Sequence, residues 1–374
     1  MYHEPYTQED FTRHPLMFYY EVTRACDLVC KHCRASAQED PAPDELSTED
    51  ALRLIDQVAS FDRKPTMCFT GGDPLKRKDL FDLIRHATEL GIQSALTPSA
   101  TPLATFDAFR KAKDAGVSAI GLSIDGPNPE VHDAFRGFEG SFAKALEMLG
   151  FARELELPVQ VNTSVTRRNV ALIDDIAEML AGEGIRMWSV FFLVPVGRGV
   201  EEERISPEEY VEVFAKLWKH ARTRPYAVKT TEAPHYRRYV LEHGGNPLAP
   251  PGGSTDGAPG AAGHGHGHAH GSGRAPLGVT DGRGIMFCGH NGEIFPAGFL
   301  PVVCGRFPHD SVVDVYRNHP LFRSLQNPDL YKGICGKCGF RMVCWGSRSR
   351  AFAVCGDPLG SEPDCVFEKD VGKD

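Results

Sequence analysis

No stretch of this chain is apolar for long enough to cross a bilayer. Nor is there a surplus of positive charge to hold a phosphate backbone: 41 Lys and Arg stand against 50 Asp and Glu, for a formal charge of −9. The opening Met1-Tyr2-His3-Glu4-Pro5-Tyr6 lacks the basic-then-apolar pattern of an export signal. These absences argue against a membrane partner and a nucleic-acid partner, and the expected location is cytoplasmic. Disulfides are disfavoured there, so the eleven cysteines of this 374-residue chain point to metal binding or catalysis.

The cysteines form two groups at opposite ends of the chain. Cys26, Cys30 and Cys33 sit within eight residues; Cys335, Cys338, Cys344 and Cys365 lie near the C-terminus, with Cys288, Cys304 and Cys355 around them. Cys68, in Thr66–Thr70, reads as a buried strand residue. A regular strand or helix would not aim the first three thiols at one spot, whereas a short loop can. Three thiolates leave one iron of a four-iron cluster free for a small chelating cofactor. A zinc loop or a set of buried free thiols is the plainer alternative.

Between residues 14 and 200 strand-like and helix-like patterns alternate. The strands expected are 17–23, 66–70, 93–97, 119–124, 159–165 and 187–194, with helices at 79–90, 106–115, 141–155 and 171–181. Ser47 offers an N-cap ahead of Leu52, Leu54, Ile55 and Val58. This order predicts an α/β fold with a parallel sheet, but pattern alone leaves an open doubly wound sheet and a barrel undecided. Residues 201–245 read as a helical connection, opened by Ser206-Pro207-Glu208-Glu209. Residues 246–280 are Gly-rich with alternating His264, His266, His268 and His270, the composition of a flexible linker. Residues 281–374 are short of regular patterns and rich in cysteine, so metal is expected to staple them.

The loop Cys26-Asp-Leu-Val-Cys30-Lys-His-Cys33 resembles the CxxxCxxC loop of radical SAM enzymes. The resemblance implies an incomplete (β/α)6 barrel whose three thiolates hold a [4Fe-4S] cluster. S-adenosylmethionine binds that cluster and is reductively cleaved to a 5′-deoxyadenosyl radical. Other motifs fit the same family. Gly71-Gly72-Asp73-Pro74 resembles the GGEP element that binds the cofactor's amino group, with Asp for Glu. Ser123 and Asp125, closing the fourth strand, suit ribose hydroxyls or the methionine end, and Arg136 resembles the partner of the cofactor carboxylate. Asn162 and Ser164 share one face at ribose-contacting positions; Leu193 and Val194 fall where the family holds adenine, and His32 fills a site beside that ring. Position alone suggests Arg198 for an anionic substrate group.

Cys335, Cys338, Cys344 and Cys365 resemble the ligands of one auxiliary [4Fe-4S] cluster in the SPASM or twitch extension of such enzymes. Four thiolates also suit zinc. A second auxiliary cluster is not expected, because Ala297 and Ser347 stand where cysteines would be needed. The loop residues, the GGDP variant, Pro195–Gly199 and Gly298–Pro301 look like the branch containing tetrapyrrole side-chain decarboxylases of haem biosynthesis. The expected activity is hydrogen abstraction from a tetrapyrrole propionate, with a flavodoxin or ferredoxin as electron donor. The alternatives are a ribosomal-peptide maturase forming a crosslink, thioether or epimer, and a non-catalytic iron–sulfur or zinc protein.

Overall fold

The computed structural model describes residues 6–247 and 278–367, so the histidine-rich run lies outside the described residues. Ten strands make one sheet: β1 Met17–Glu21, β2 Thr66–Thr70, β3 Ser94–Leu96, β4 Val117–Ser123, β5 Val159–Val165, β6 Met187–Phe192, β7 Ala227–Thr231, β8 Ile285–Cys288, β9 Glu293–Phe295 and β10 Gly305–Arg306. Their order is β10-β9-β8-β1-β2-β3-β4-β5-β6-β7. From β8 through β7 every pairing is parallel, and only β9 and β10 run antiparallel. No pairing joins β7 to the opposite edge among the described residues, so the barrel stays open along one seam.

The six strands expected from the sequence are all present: β2 and β5 have the expected bounds, and the other four differ by one or two residues at one or both ends. Two parallel strands were not anticipated. The region read as a helical connection contains β7 between the helices Pro207–Thr223 and Tyr236–Glu242. Its Ala-Val-Lys-Thr-Thr sequence has β-branched residues but only a short apolar run, and a lysine breaks the alternation. The other, β8, comes from the cysteine-rich C-terminal part and pairs with β1 from Met17 to Tyr20.

Alternation within the strands separates core from lumen. In β1, Phe18 and Tyr20 are fully buried against the helical layer while Tyr19 points inward; in β5, Val159, Val161, Thr163 and Val165 are buried and Asn162 and Ser164 face the lumen. The helix Thr48–Ala59 starts on Ser47, whose side chain accepts from the Asp50 N–H, and it buries Leu54, Ile55 and Val58. Each such side chain contributes roughly 1.5–3 kcal/mol by leaving water. The box at Ser206 is present: Ser206 N–H donates to Glu209 Oε2 at 2.7 Å and Glu209 N–H to Ser206 Oγ at 3.3 Å. Among the described residues no helix is long and apolar enough to cross a membrane.

Candidate functional site

A cavity of about 310 Å³ fills the lumen at the end of the strands from which their loops leave. Cys26, Cys30, His32 and Cys33 line it, together with Gly71, Gly72, Ser123, Arg136, Asn162, Ser164, Leu193 and Val194. Twelve of the fifteen N-terminal positions singled out by sequence therefore meet at one place. Asp73, Pro74 and Asp125 do not line it; they stand behind it.

The roles of those three follow from their contacts. Asp73 is fully buried and accepts from Leu75 N–H (3.2 Å), Ser99 N–H (3.3 Å) and Thr101 Oγ1 (2.7 Å), so it shapes the wall made by Ser99. Pro74 begins the short 3₁₀ turn that Asp73 caps. Asp125 is fully buried and accepts from the Ser164 N–H at 2.7 Å, with Arg136 Nη2 2.5 Å and His32 Nε2 3.8 Å from its Oδ2. Burial pushes the Asp125 carboxyl up, but Arg136, His32 and His132 outweigh it and hold the carboxyl below its usual range. Burial opposes charge on Arg136 too, and Asp125 and Cys30 more than offset it.

The glycines at 71 and 72 are needed for a reason beyond ligand approach. A Cβ at Gly71 would lie 2.5 Å from Thr23 O, and one at Gly72 would lie 2.4 Å from Ala25 O and 2.7 Å from Arg24 O. The Gly72 N–H donates to Thr23 O (2.8 Å) and the Asp73 N–H to Ala25 O (2.6 Å). This turn thus presses against the backbone entering the thiol loop and fixes where the loop departs.

The loop is held from several sides. Arg24 Nη2 donates to Ala35 O and Ser36 O, and the Lys31 N–H to Phe135 O. Arg198 corrects the positional reading: its Nε donates to Cys30 O (2.9 Å) and its Nη1 to Ala37 O (2.8 Å), so it braces the loop rather than a substrate group. Gly197, at φ +56°, has Arg34 O and Cys33 O against it, where any side chain would clash. His32 packs on Phe135 with ring centroids 4.3 Å apart, and burial lowers it to about 4, so it is neutral at pH 7.

Hydrogen bonding divides the cysteines into kinds. Cys26 Sγ accepts from Leu28 N–H (3.4 Å), Cys33 Sγ from Ala37 N–H (3.4 Å) and Cys30 Sγ from Arg136 Nη1 (3.7 Å). In the C-terminal part, Cys335 Sγ accepts from Glu362 N–H (3.2 Å) and Arg348 Nη2 (3.3 Å), Cys338 Sγ from Phe340 N–H (3.4 Å) and Cys344 Sγ from Gly346 N–H (3.4 Å). The Phe367 N–H serves Cys365 in the same way. Cys26 Sγ also donates to Ser99 Oγ (3.6 Å), and Cys68, which lines the larger cavity from β2, bonds Thr97. Cys288 and Cys304 only donate, to Gly289 O (3.6 Å) and Val302 O (3.4 Å), and Cys355 is exposed. Donors aimed at sulfur fit thiolates that ligate iron.

Cys335, Cys338, Cys344 and Cys365 line a second cavity of about 30 Å³, with Arg238, Trp345 and Glu362. Among the described residues no three His, Cys, Asp or Glu side chains converge on a single metal ion. Each thiol set lines one cavity, with hydrogen-bond donors aimed at its sulfurs. Ser347 is committed elsewhere: its Oγ donates to Glu232 and accepts from the Arg350 N–H at 3.0 Å.

Sequence reasoning missed the part of the lumen wall near the open seam. Glu232, which follows β7, and Asp281, which precedes β8, both line the cavity. Burial raises both carboxyls above their usual range, and the Asp281 charge pushes Glu232 further. Recognising β7 would have exposed Glu232, because polar residues just past a parallel barrel strand sit where ligands bind.

Comparison with known proteins gives concordant matches. The model described as the Radical SAM superfamily matches residues 20–181. The chain is 36% identical to a protein named AdoMet-dependent heme synthase from Oleidesulfovibrio alaskensis, over 97% of this chain and 90% of that one. It is 34% identical to one of the same name from Methanosarcina barkeri, covering 95% and 97%. Among solved structures, Streptococcus suis SuiB bound to S-adenosylmethionine superposes with a TM-score of 0.69 at 14% identity, covering 95% of this chain and 78% of that one.

Proposed function

Since this chain belongs to the radical SAM superfamily, we propose that it oxidatively decarboxylates propionate side arms of an iron tetrapyrrole. The observation that carries the proposal is the division of the cysteines. All seven thiols of the two cysteine groups accept hydrogen bonds at sulfur and line the two cavities, whereas Cys288, Cys304 and Cys355 line neither. Near-full-length likeness to proteins named heme synthase supplies the substrate class.

Cys26, Cys30 and Cys33 would hold a [4Fe-4S] cluster with S-adenosylmethionine, which together supply the 5′-deoxyadenosyl radical that abstracts hydrogen. The remaining work falls to the chain. The Gly71–Gly72 turn and the brace from Arg198 fix the thiol loop, and Ser123, Asn162 and Ser164 offer short polar groups to a ribose. Arg136, already balanced by Asp125, offers its remaining donor capacity to a carboxylate. The apolar wall of Phe191, Leu193, Val194, Phe287 and Phe299 keeps water from a carbon-centred radical.

After hydrogen abstraction the substrate radical must lose CO2 and one electron to become a vinyl group. Cys335, Cys338, Cys344 and Cys365 would hold an auxiliary [4Fe-4S] cluster suited to that electron. An external donor of the flavodoxin or ferredoxin kind would supply the electron for cofactor cleavage.

The test is anaerobic reconstitution with iron and sulfide, followed by S-adenosylmethionine, dithionite and iron coproporphyrin III. 5′-Deoxyadenosine should form together with products lacking one CO2 and two hydrogens per propionate. Cofactor cleavage without any change in the tetrapyrrole would refute the substrate assignment while leaving the radical chemistry intact.

A further inference from the structure

Lys229 lies on β7 two residues before Thr231, so both point to the same face, and Thr231 lines the cavity. The Lys229 charge interacts with Cys68, on β2. Five strand intervals separate β2 from β7 along the sheet. Laid flat, that path is about 24 Å, too far for the two side chains to influence one another. The sheet curls instead, which turns the inner face of β7, and with it Lys229, toward the lumen that Cys68 also faces. Tyr19 is paired in register with Cys68 and also lines the cavity. Lys229, Cys68 and Tyr19 therefore all face the barrel interior.

Neither the ammonium of Lys229 nor the phenol of Tyr19 has a hydrogen bond or ion pair among the described residues. No acidic side chain acts on Lys229. Burial lowers it to about 8, so it is still mostly protonated at neutral pH. Burial raises Tyr19, with Cys68 and Glu232 adding to the shift, so the phenol keeps its proton and remains a donor. An unpaired cation in such a place is costly unless an anion arrives to match it.

We propose that Lys229 and Tyr19 anchor a carboxylate side arm of the substrate in the floor of the lumen. One ammonium and one phenol supply two donors and a single positive charge, which matches the two oxygens and single negative charge of a carboxylate. The identification of that carboxylate as a tetrapyrrole propionate rests on the function proposed above. The macrocycle stays nearer the cavity mouth while one arm descends past the thiol loop, and the depth of the anchor sets which arm is presented.

The test uses the reconstituted enzyme with Lys229→Met, Lys229→Arg and Tyr19→Phe. Iron coproporphyrin III is titrated by its visible absorbance, and S-adenosylmethionine binding is measured alongside. Lys229→Met should weaken tetrapyrrole binding about tenfold or more, Lys229→Arg should recover most of it, and cofactor affinity should hold. Unchanged tetrapyrrole affinity in Lys229→Met overturns the anchor, and so does lost cofactor affinity, which would give the lysine to the cofactor. A wild-type protein that binds no iron coproporphyrin III defeats the proposed function instead. The anchor is then judged with propionate alone, read as protection of Lys229 from acetic anhydride by peptide mass analysis. Slower labelling of Lys229 relative to exposed lysines supports it, and unchanged labelling overturns it.

Discussion

Arg136 holds Asp125 with one arm of its guanidinium, Nη2 to Oδ2 at 2.5 Å, and reaches the sulfur of Cys30 with the other, Nη1 at 3.7 Å. A side chain from the helix after β4 thereby ties a carboxylate at the end of that strand to the loop after β1. Only a planar, forked cation can make both contacts at once.

Arg136→Ala should leave the fully buried Asp125 without its main counter-charge and cost about 3–5 kcal/mol. Arg136→Lys should fold better yet hold the thiol loop poorly. Iron content and thermal midpoint, measured on both variants, separate the two effects. Equal stability of wild type and Arg136→Ala would contradict the pairing.

Replacing Cys26, Cys30 and Cys33 together with Ala should abolish 5′-deoxyadenosine formation. About four irons should remain from the C-terminal thiols. The reciprocal change of Cys335 and Cys344 should leave the other four. Iron analysis and EPR on each variant would show whether the two centres load independently.

Cys288→Ser, Cys304→Ser and Cys355→Ser should not alter the total of about eight irons. The first two thiols donate to backbone carbonyls and the third is exposed. A fall in iron on any of these changes would reveal a third centre.

Gly72→Ala drives a methyl into two backbone carbonyls, and overpacking of this kind costs roughly 1–3 kcal/mol. Gly150→Ala is the control: it lies in the helix Ser141–Glu154 with nothing within 4 Å of the added carbon, and should stabilise by about 0.5–1 kcal/mol. Opposite shifts of the thermal midpoint are expected.

His132 should make stability pH-dependent. Burial lowers it to about 4, with Arg136 adding to the shift while Asp125 and Asp133 oppose it; its Nδ1 accepts from the Asp125 N–H at 3.1 Å, which requires the neutral ring. The unfolded chain takes up this proton near pH 6.5 but the folded one does not. Stability is therefore full above about pH 6.5 and declines as pH falls towards 4, by about 3 kcal/mol at the lower limit. His132→Gln, which offers an acceptor without titrating, should flatten that decline in urea midpoints compared at pH 7.5 and pH 5.

The chemistry was legible where it is written as spacing. The thiol loop, the C-terminal cysteines and the short polar residues closing β4 and β5 all announce themselves within a few positions. The alternation in β5 correctly set Asn162 and Ser164 on one face. What stayed hidden depends on distant meetings. Arg198 looked free because its acceptors, Cys30 O and Ala37 O, lie some 160 residues earlier. Glu232 and Asp281 are ordinary acids in sequence and become a buried, interacting pair only where the open seam brings them together. Lys229 masked β7 because an inward-facing cation interrupts the apolar pattern by which strands are recognised.

The bracing by Arg198 also bears on the order of events during biosynthesis. The cysteine loop leaves the ribosome early, but its carbonyls at Cys30 and Ala37 wait for their donor Arg198, and the parallel neighbour on the far side of β1 waits for residues 285–288. A nascent chain bearing only Cys26, Cys30 and Cys33 has the ligands without the shape. Iron delivery to this loop should accordingly follow completion of nearly the whole chain, however early its cysteines emerge.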